Sequence, residues 1–381
     1  MSYLRSLIFG REYQVEPETC FVLMPFSREY LDVFDAVKIS LEDLNVRVHR
    51  ADELSLSTPI IDDIISHIMS ADFIIADLTT QNPNVLYELG LSHVLKDDVI
   101  LITQTIESVP FDVTHLRLIV YEHEAAGLQI LGTRLRQSVR TLRHKRQVDK
   151  RLSVLKQIGQ ACAARVRERL RIYMNIMQSV SEWEALKTND LQRHVEVLPQ
   201  ICALLSPFTG GVYNLDDTGT VVSSAPINIV GQNYAHREYF RLCRTTLRGV
   251  VSNSFDSANR PCRIVVLAVP RHNSEGQFIG ILDGVIDVCD ANFRDIISDI
   301  LCGVNTEYRP EITILDEGSE VIASSCPDLL GGNFGGSTLV KKLKEELAST
   351  KDDVACSVGG EIGALCRIKE TPFTVLTAAA L

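Results

Sequence analysis

The chain has 381 residues, 45% of them hydrophobic and 23% charged, with a formal net charge of −11. That length holds two or three domains of ordinary globular composition. The negative balance argues against nucleic acid or an anionic membrane as a partner of the whole surface, and no apolar run nears the ~20 residues that span a bilayer.

Residues 1 to about 125 alternate short apolar strands with helices. The strands are Cys20–Pro25, Val46–Arg50, Phe73–Ala76, Val99–Thr103 and Leu116–Tyr121; the helices are Tyr30–Leu44, Pro59–Met69 and Pro83–Leu95. That alternation predicts a parallel sheet covered on both faces, with ligands beyond the carboxyl ends of its strands. Phe26, Ser27, Asp52, Asp77, Thr79 and Gln104 fall at that edge. The helix from Pro83, with Asn82 as its N-cap, is apolar nearly all round, which predicts burial. Yet Asn84, Glu88 and Ser92 recur every fourth residue and form one polar stripe along it. A carboxylate placed there needs a partner or a task. The plainer reading of Glu88 is a structural carboxylate, capping backbone or paired with Arg50. For Asp77 it is a tie to the following Thr79-Thr80 turn.

From about 128 to 200 the pattern is helical, with Leu152, Leu155, Ile158, Cys162, Val166, Leu170, Tyr173, Met177 and Val180 at three- and four-residue steps. Between Arg134 and Arg171 stand 13 Lys/Arg against two acids. Without interleaved aromatics, this run reads as a solvated face, or one docked on the acidic remainder, rather than a nucleic-acid surface. Its apolar stripe suits pairing with a second copy. From about 205 to 381 the chain is β-rich and repeats itself. Val212 to Pro226 is echoed by Ile312 to Pro327, and each then reaches a Gly, an Asn and an aromatic (Gly231, Asn233, Tyr234; Gly332, Asn333, Phe334). Each copy has the grammar of a β-hairpin, so two related subdomains are expected, about 205–300 and 308–381. Ten widely spaced cysteines without a C-x-x-C pair point to free thiols in a reducing cytoplasm, and no metal or redox motif is present. Met1 to Arg11 lacks the long apolar core and small-residue cleavage site of a signal peptide.

Five pieces of the first region occur in order: Phe21-Val-Leu-Met-Pro-Phe-Ser27, Val48-His-Arg-Ala-Asp52, Ala71-Asp-Phe-Ile-Ile-Ala-Asp-Leu-Thr79, Asn82-Pro-Asn-Val-Leu-Tyr-Glu-Leu-Gly90 and Val109-Pro-Phe-Asp112. On these the region resembles the TIR-like nucleotide-binding family of bacterial immune effectors, related in fold to nucleoside deoxyribosyltransferases. The resemblance implies a flavodoxin-like α/β domain over 1–126. It makes Glu88 the catalytic residue that cleaves an N-glycosidic bond, commonly nicotinamide–ribose in NAD, which is then a substrate and not a cofactor. It sets Phe26, Ser27, Asp52, Asp77 and Asn84 around the nucleotide. The chemistry agrees: a carboxylate can stabilise an oxocarbenium-like state, and nicotinamide leaves without protonation.

The last region, 201–381, resembles a double Cache sensor domain through Tyr213-Asn-Leu-Asp-Asp-Thr-Gly219, His236-Arg-Glu-Tyr-Phe240, Ala268-Val-Pro270, Glu275-Gly276, Gly280-Ile-Leu-Asp-Gly-Val-Ile-Asp287 and Ile314-Leu-Asp316. The resemblance implies an α+β double domain behind a helical connector (127–200). It maps an unknown small-molecule ligand onto Arg237, Tyr239, Phe240 and Asp287. Such domains usually lie outside the cell between membrane spans, and this chain shows none. The whole is expected to be a cytoplasmic, homo-oligomeric antiviral effector whose NAD cleavage answers to the sensor. The alternatives are a nucleoside or nucleotide glycosidase or deoxyribosyltransferase, and a nucleotide-binding sensor or scaffold without catalysis.

Overall fold

A computed structural model describes residues 13–50, 60–96, 98–109, 118–204, 208–288, 290 and 310–380. The chain forms two compact units, 1–147 and 148–381.

In the first unit, five strands form one sheet: β1 (Thr19–Leu23), β2 (Arg47–Arg50), β3 (Phe73–Asp77), β4 (Val99–Thr103) and β5 (Leu118–Val120). Their order is β2-β1-β3-β4-β5, all parallel. Alternate residues serve opposite faces. Cys20, Val22, Phe73 and Ile75 pack on α1 (Leu31–Glu42) and on Leu131, Leu135 and Val139 of α4 (Ala125–Ser181). Phe21, Leu23, Ile74 and Ala76 pack on α2 (Ile60–Ser70) and α3 (Pro83–Leu95). With both faces covered, the strands need no polar side, which is why they read as continuous apolar runs. The strand order reverses between β1 and β3, and an open α/β sheet offers its crevice at such a point.

One expectation needs correction here. Helix α3 is not buried all round: Tyr87 is 59% and Val94 68% exposed. It lies on a sheet face and buries only one side, through Val85, Leu89 and Leu95. The basic run on α4, by contrast, docks on acids and carbonyls at the rim of its own sheet. Arg146 bonds Asp72 Oδ1 (2.5 Å) and Asp98 Oδ2 (2.6 Å), Arg136 reaches Asp43 (3.3 Å), and Arg143 reaches the Leu44 carbonyl (3.2 Å).

In the second unit, α4 ends at Ser181 and α5 (Leu191–Leu204) begins after a break, where the sequence pattern suggested unbroken helix. The break is held by a remote side chain. Arg271, wholly buried, donates to the carbonyls of Leu186 (2.8 and 3.0 Å), Thr188 (2.7 Å) and Leu215 (3.3 Å) and to Asn189 Oδ1 (3.1 Å). Carbonyls freed by interrupting a helix thereby find a buried donor.

Beyond α5 lie two antiparallel sheets. One runs β7-β6-β11-β10-β8, with β9 also on β10; the other runs β13-β12-β16-β15-β14. Their strands are β6 (Gly211–Asp216), β7 (Val221–Ala225), β8 (Val250–Val251), β9 (Phe255–Asp256), β10 (Arg263–His272) and β11 (Phe278–Asp287), then β12 (Glu311–Leu315), β13 (Val321–Ser324), β14 (Val354–Val358), β15 (Glu361–Arg367) and β16 (Thr374–Ala380). Ile158, Cys162, Val166 and Met177 of α4 join residues of both sheets in one core. Each sheet's other face carries its own helix, α6 (Glu238–Thr246) on the first and α7 (Thr338–Ser349) on the second.

The repeat seen in the sequence is a repeat of hydrogen bonds. Gly219 N–H bonds the Asp216 carbonyl (3.1 Å), and Ser319 N–H bonds that of Asp316 (3.0 Å). Asn233 Nδ2 reaches the Thr218 carbonyl (3.1 Å), and Asn333 Nδ2 that of Gly318 (3.2 Å). Even the ladder irregularities coincide, at Asn214/Leu215 and Ile314/Leu315.

Candidate functional site

Asn82 accepts from the backbone of Asn84 (2.9 Å) and Val85 (3.4 Å), and Pro83 follows it at the first helical position, so the start of α3 is fixed about a turn and a half before Glu88. Glu88 is 8% exposed. Its carboxylate has no hydrogen-bond or ion-pair partner among the described residues, Arg50 included. Burial alone pushes its pKa up to about 7. Asn84 is exposed one turn before it, and Ser92 is buried one turn after, donating to the Glu88 carbonyl (2.8 Å). The polar stripe of the sequence is therefore one residue of solvent, one ionisable group and one satisfied hydroxyl.

Asp77 behaves differently. It is buried at the end of β3, and its oxygens are taken. Oδ1 accepts the Thr79 amide (2.9 Å) and hydroxyl (2.5 Å), and Oδ2 accepts the Tyr121 hydroxyl (2.7 Å). Gln104 extends the network, its side chain to Tyr121 (3.3 Å) and its amide to Thr79 (3.1 Å). Burial raises the Asp77 pKa and the bonds from Thr79 and Tyr121 oppose the rise. As placed, Asp77 ties the carboxyl ends of β3, β4 and β5 together and offers no free oxygen to a substrate. This is the tie to the following turn that the plainer reading expects.

Phe26 is 57% exposed and Ser27 is exposed, with its hydroxyl on Glu29 (2.7 Å). Asp52 and the Pro110–Asp112 part of the last motif lie outside the described residues. The structure adds groups that the sequence reading passed over. His123 bonds both carboxyl oxygens of Asp32 (2.9 Å each) and stacks on Tyr30, joining the chain after β5 to the start of α1. This bond is the main cause lowering the Asp32 pKa. No spacing rule links residues 91 positions apart, so neither this pair nor Tyr121 was visible in advance.

In the second unit, a pocket between α6 and the first sheet is lined by Arg237, Arg260, Tyr213, Tyr234, Tyr239 and Phe255, among others. Two of the four residues predicted for it are present, Arg237 and Tyr239. Phe240 is instead buried in the core under α6, one position round the helix. Asp287 ends β11 two residues beyond the lining Val285, and its amide bonds Thr209 Oγ1 (3.4 Å). The Arg237 guanidinium lies over the Phe255 ring, 4.6 Å from its centroid, and its buried Nε has no hydrogen-bond partner. Asp283 is buried on β11, its Oδ1 lacking a hydrogen-bond partner among the described residues. Burial pushes its pKa up to about 8, against the lowering effect of nearby Tyr239. Arg237, Tyr239 and Phe255 also line an adjoining open groove of about 820 Å3.

The fold thus defines a two-unit α/β protein, a doubly wound parallel sheet followed by paired antiparallel sheets on a shared helix. No protein-family description matches the chain, and no curated protein sequence does. Among solved structures, it is similar over 61% of its length to an extracellular domain assigned to a histidine kinase (rpHK1S-Z16), with 14% identity, TM-score 0.49 and 95% of that domain covered. It is similar over 61% to the ligand-binding domain of the Pseudomonas aeruginosa chemoreceptor PctB in complex with L-Arg (12% identity, TM-score 0.45, 96% covered). It is similar over 62% to that of the Pseudomonas fluorescens chemoreceptor CtaA in complex with L-isoleucine (15%, 0.46, 95% covered). No described helix is long and apolar enough to cross a membrane.

Proposed function

We propose that the first unit cleaves the nicotinamide–ribose bond of NAD with Glu88 as its catalytic carboxylate, and that the second unit is a Cache-type small-molecule sensor controlling it. One observation carries the catalytic reading: Glu88 is a buried carboxyl with no partner among the described residues, on the helix that follows β3 and packs on β1 and β3, the strands that flank the switch point. A structural carboxylate would be bonded, as Asp77 is; an idle one would be expelled to water. In its ionised form Glu88 stabilises positive charge developing on the ribose carbon, and low surrounding polarity strengthens that interaction. NAD as substrate and an antiviral role rest on the family resemblance, the cytoplasmic setting on the widely spaced cysteines, and self-association on the apolar stripe of the long helix. The sensor reading is supported by the arginine- and aromatic-lined pocket beside α6. Helix α4 is shared by both units and is the element through which control would pass.

The test is to incubate purified full-length protein with NAD, with and without cell extract, and to measure nicotinamide against Glu88→Gln. Release by wild type and its loss in the variant are expected. Free base from nucleosides, with NAD untouched, would assign the same carboxylate to a nucleosidase or deoxyribosyltransferase. No cleavage of either substrate, with nucleotide binding retained in the variant, would leave a non-catalytic binding module.

A further inference from the structure

We infer that the open groove along β8 is a docking site for an extended segment of a partner protein, acidic at every second residue, which joins the first sheet as a further strand. The groove, about 820 Å3, is lined by every residue from Arg248 to Phe255. So long an unbroken run, about 20 Å of extended chain, makes a trough along one strand rather than a pocket gathered from several. Glu317 and the turn at 370–372, from the second sheet, stand across from it.

The strand has an open side. β8 ends the strand order of its sheet, and among the described residues only β10 pairs with it. The Ser252 N–H donates to the Val266 carbonyl of β10 (2.9 Å). Neighbouring residues of an antiparallel ladder turn their backbone groups to opposite sides, so Val251 and Asn253 turn theirs away from β10. A row of outward N–H and C=O groups pairs with any extended chain laid beside it. Asn253 Oδ1, on a residue that lines the groove, is also buried without a hydrogen-bond partner, an acceptor in want of a donor.

Charge selects among extended chains. On the α6 side stand Arg237, Arg241 and Arg248 against one acid, Glu238. Arg241 and Arg248 are exposed, and no hydrogen bond or ion pair holds either side chain among the described residues. The acids of the opposite side are partly answered already. Glu370 accepts from Arg167 (2.6 Å), and Lys344 reaches the Glu317 carbonyl (2.7 Å). Alternate side chains of an added strand point to opposite faces of the sheet, and α6 covers one face. Every second residue of the segment therefore meets the arginines, and carboxylates fit them best.

Fluorescence anisotropy with the full-length protein and labelled eight-residue peptides tests this. A peptide alternating Glu with Thr is expected to bind about tenfold or more tighter than its isomer with four Glu followed by four Thr, and than a peptide alternating Lys with Thr. Methylating the backbone nitrogens of all the Glu or of all the Thr removes the ladder donors in one case and outward groups in the other. One set should abolish binding and the other spare it, a signature that charge attraction alone does not give. Arg241→Glu combined with Arg248→Glu should weaken binding tenfold or more with thermal unfolding unchanged, both residues being exposed. Equal binding of the alternating and block peptides, equal effects of the two methylations, an unaffected double variant, or no binding by any peptide overturns the inference. None of these results bears on Glu88 or on the pocket lined by Arg260.

Discussion

Glu88 stays protonated to about pH 7 because burial penalises its charge and no described group offsets the penalty. Two consequences follow from that one cause. If the ionised form is the working one, kcat/KM for NAD rises with pH through about 7 and levels above it, and a pH–rate profile reads this directly. Glu88→Gln should lower the rate by about 10²-fold or more at pH 8. The second consequence concerns folding. Between about pH 4.5 and 7 the native state binds a proton that the unfolded chain has released, so stability falls as pH rises across that window. Glu88→Gln removes the penalty. The variant should be the more stable protein at pH 8, by up to about 3 kcal/mol, and equal to wild type near pH 4, as urea melts at the two pH values would show. Glu88 was legible as a candidate because three polar residues at four-residue spacing stand out in an apolar helix. Asp77 was legible as buried, but its hydrogen-bond donor was not: Tyr121 arrives from the far edge of the sheet, and only tertiary structure brings a hydroxyl 44 positions away to a strand end.

At the scale of elements, the two copies of the hairpin differ where backbone strain decides the residue. Gly219 has φ +83°, and a Cβ there would meet the Ala235 amide nitrogen at 2.7 Å. Ser319 takes the same turn position with φ +68° and carries a Cβ regardless. Ser319→Gly is expected to gain about 1 kcal/mol, and Gly219→Ala to cost about 2 kcal/mol or more, in chemical denaturation of the full chain. The hairpins themselves were readable from their Asp-Gly type turns and alternating strands, since both signals are local. The interruption between α4 and α5 was not. Residues 182–190 contain no proline or glycine, and the break exists because Arg271, over eighty positions later, collects its carbonyls. Arg271→Met should therefore cost about 3 kcal/mol, because carbonyls made for a buried cation lose their donor. The exposed side of α3 misled in the opposite sense, because a count of apolar residues does not reveal that a sheet covers only one face of a helix.

For the whole molecule, the sequence pattern gave the order of parts and the nature of the long basic helix, whose arginines are largely spent on nearby acids and carbonyls. Pattern could not give the contents of the sensor pocket, because lining depends on which strand residue reaches past its neighbours; Val285 does and Asp287 does not. If the pocket controls catalysis, a small molecule that binds it should change the rate of nicotinamide release from wild type. In Arg237→Gln the basal rate should persist and the response vanish, since Arg237 belongs to the unit that lacks Glu88. A constant rate at saturating ligand would break the proposed link between the units.

The turn aspartates have also parted ways. In the first copy, the side-chain hydrogen bonds of Asp216 among the described residues stay in its own loop, to the amides of Thr218 and Thr220 and the Thr218 hydroxyl. In the second, Asp316 keeps the loop bond, to the Glu320 amide, and turns its other oxygen outward to Ser254 and Arg263 of the sister sheet. A segment once duplicated has thus become a fastener between twins. Exchanging the two loops, which look like near-synonyms on paper, would leave each half folded and the seam between them undone.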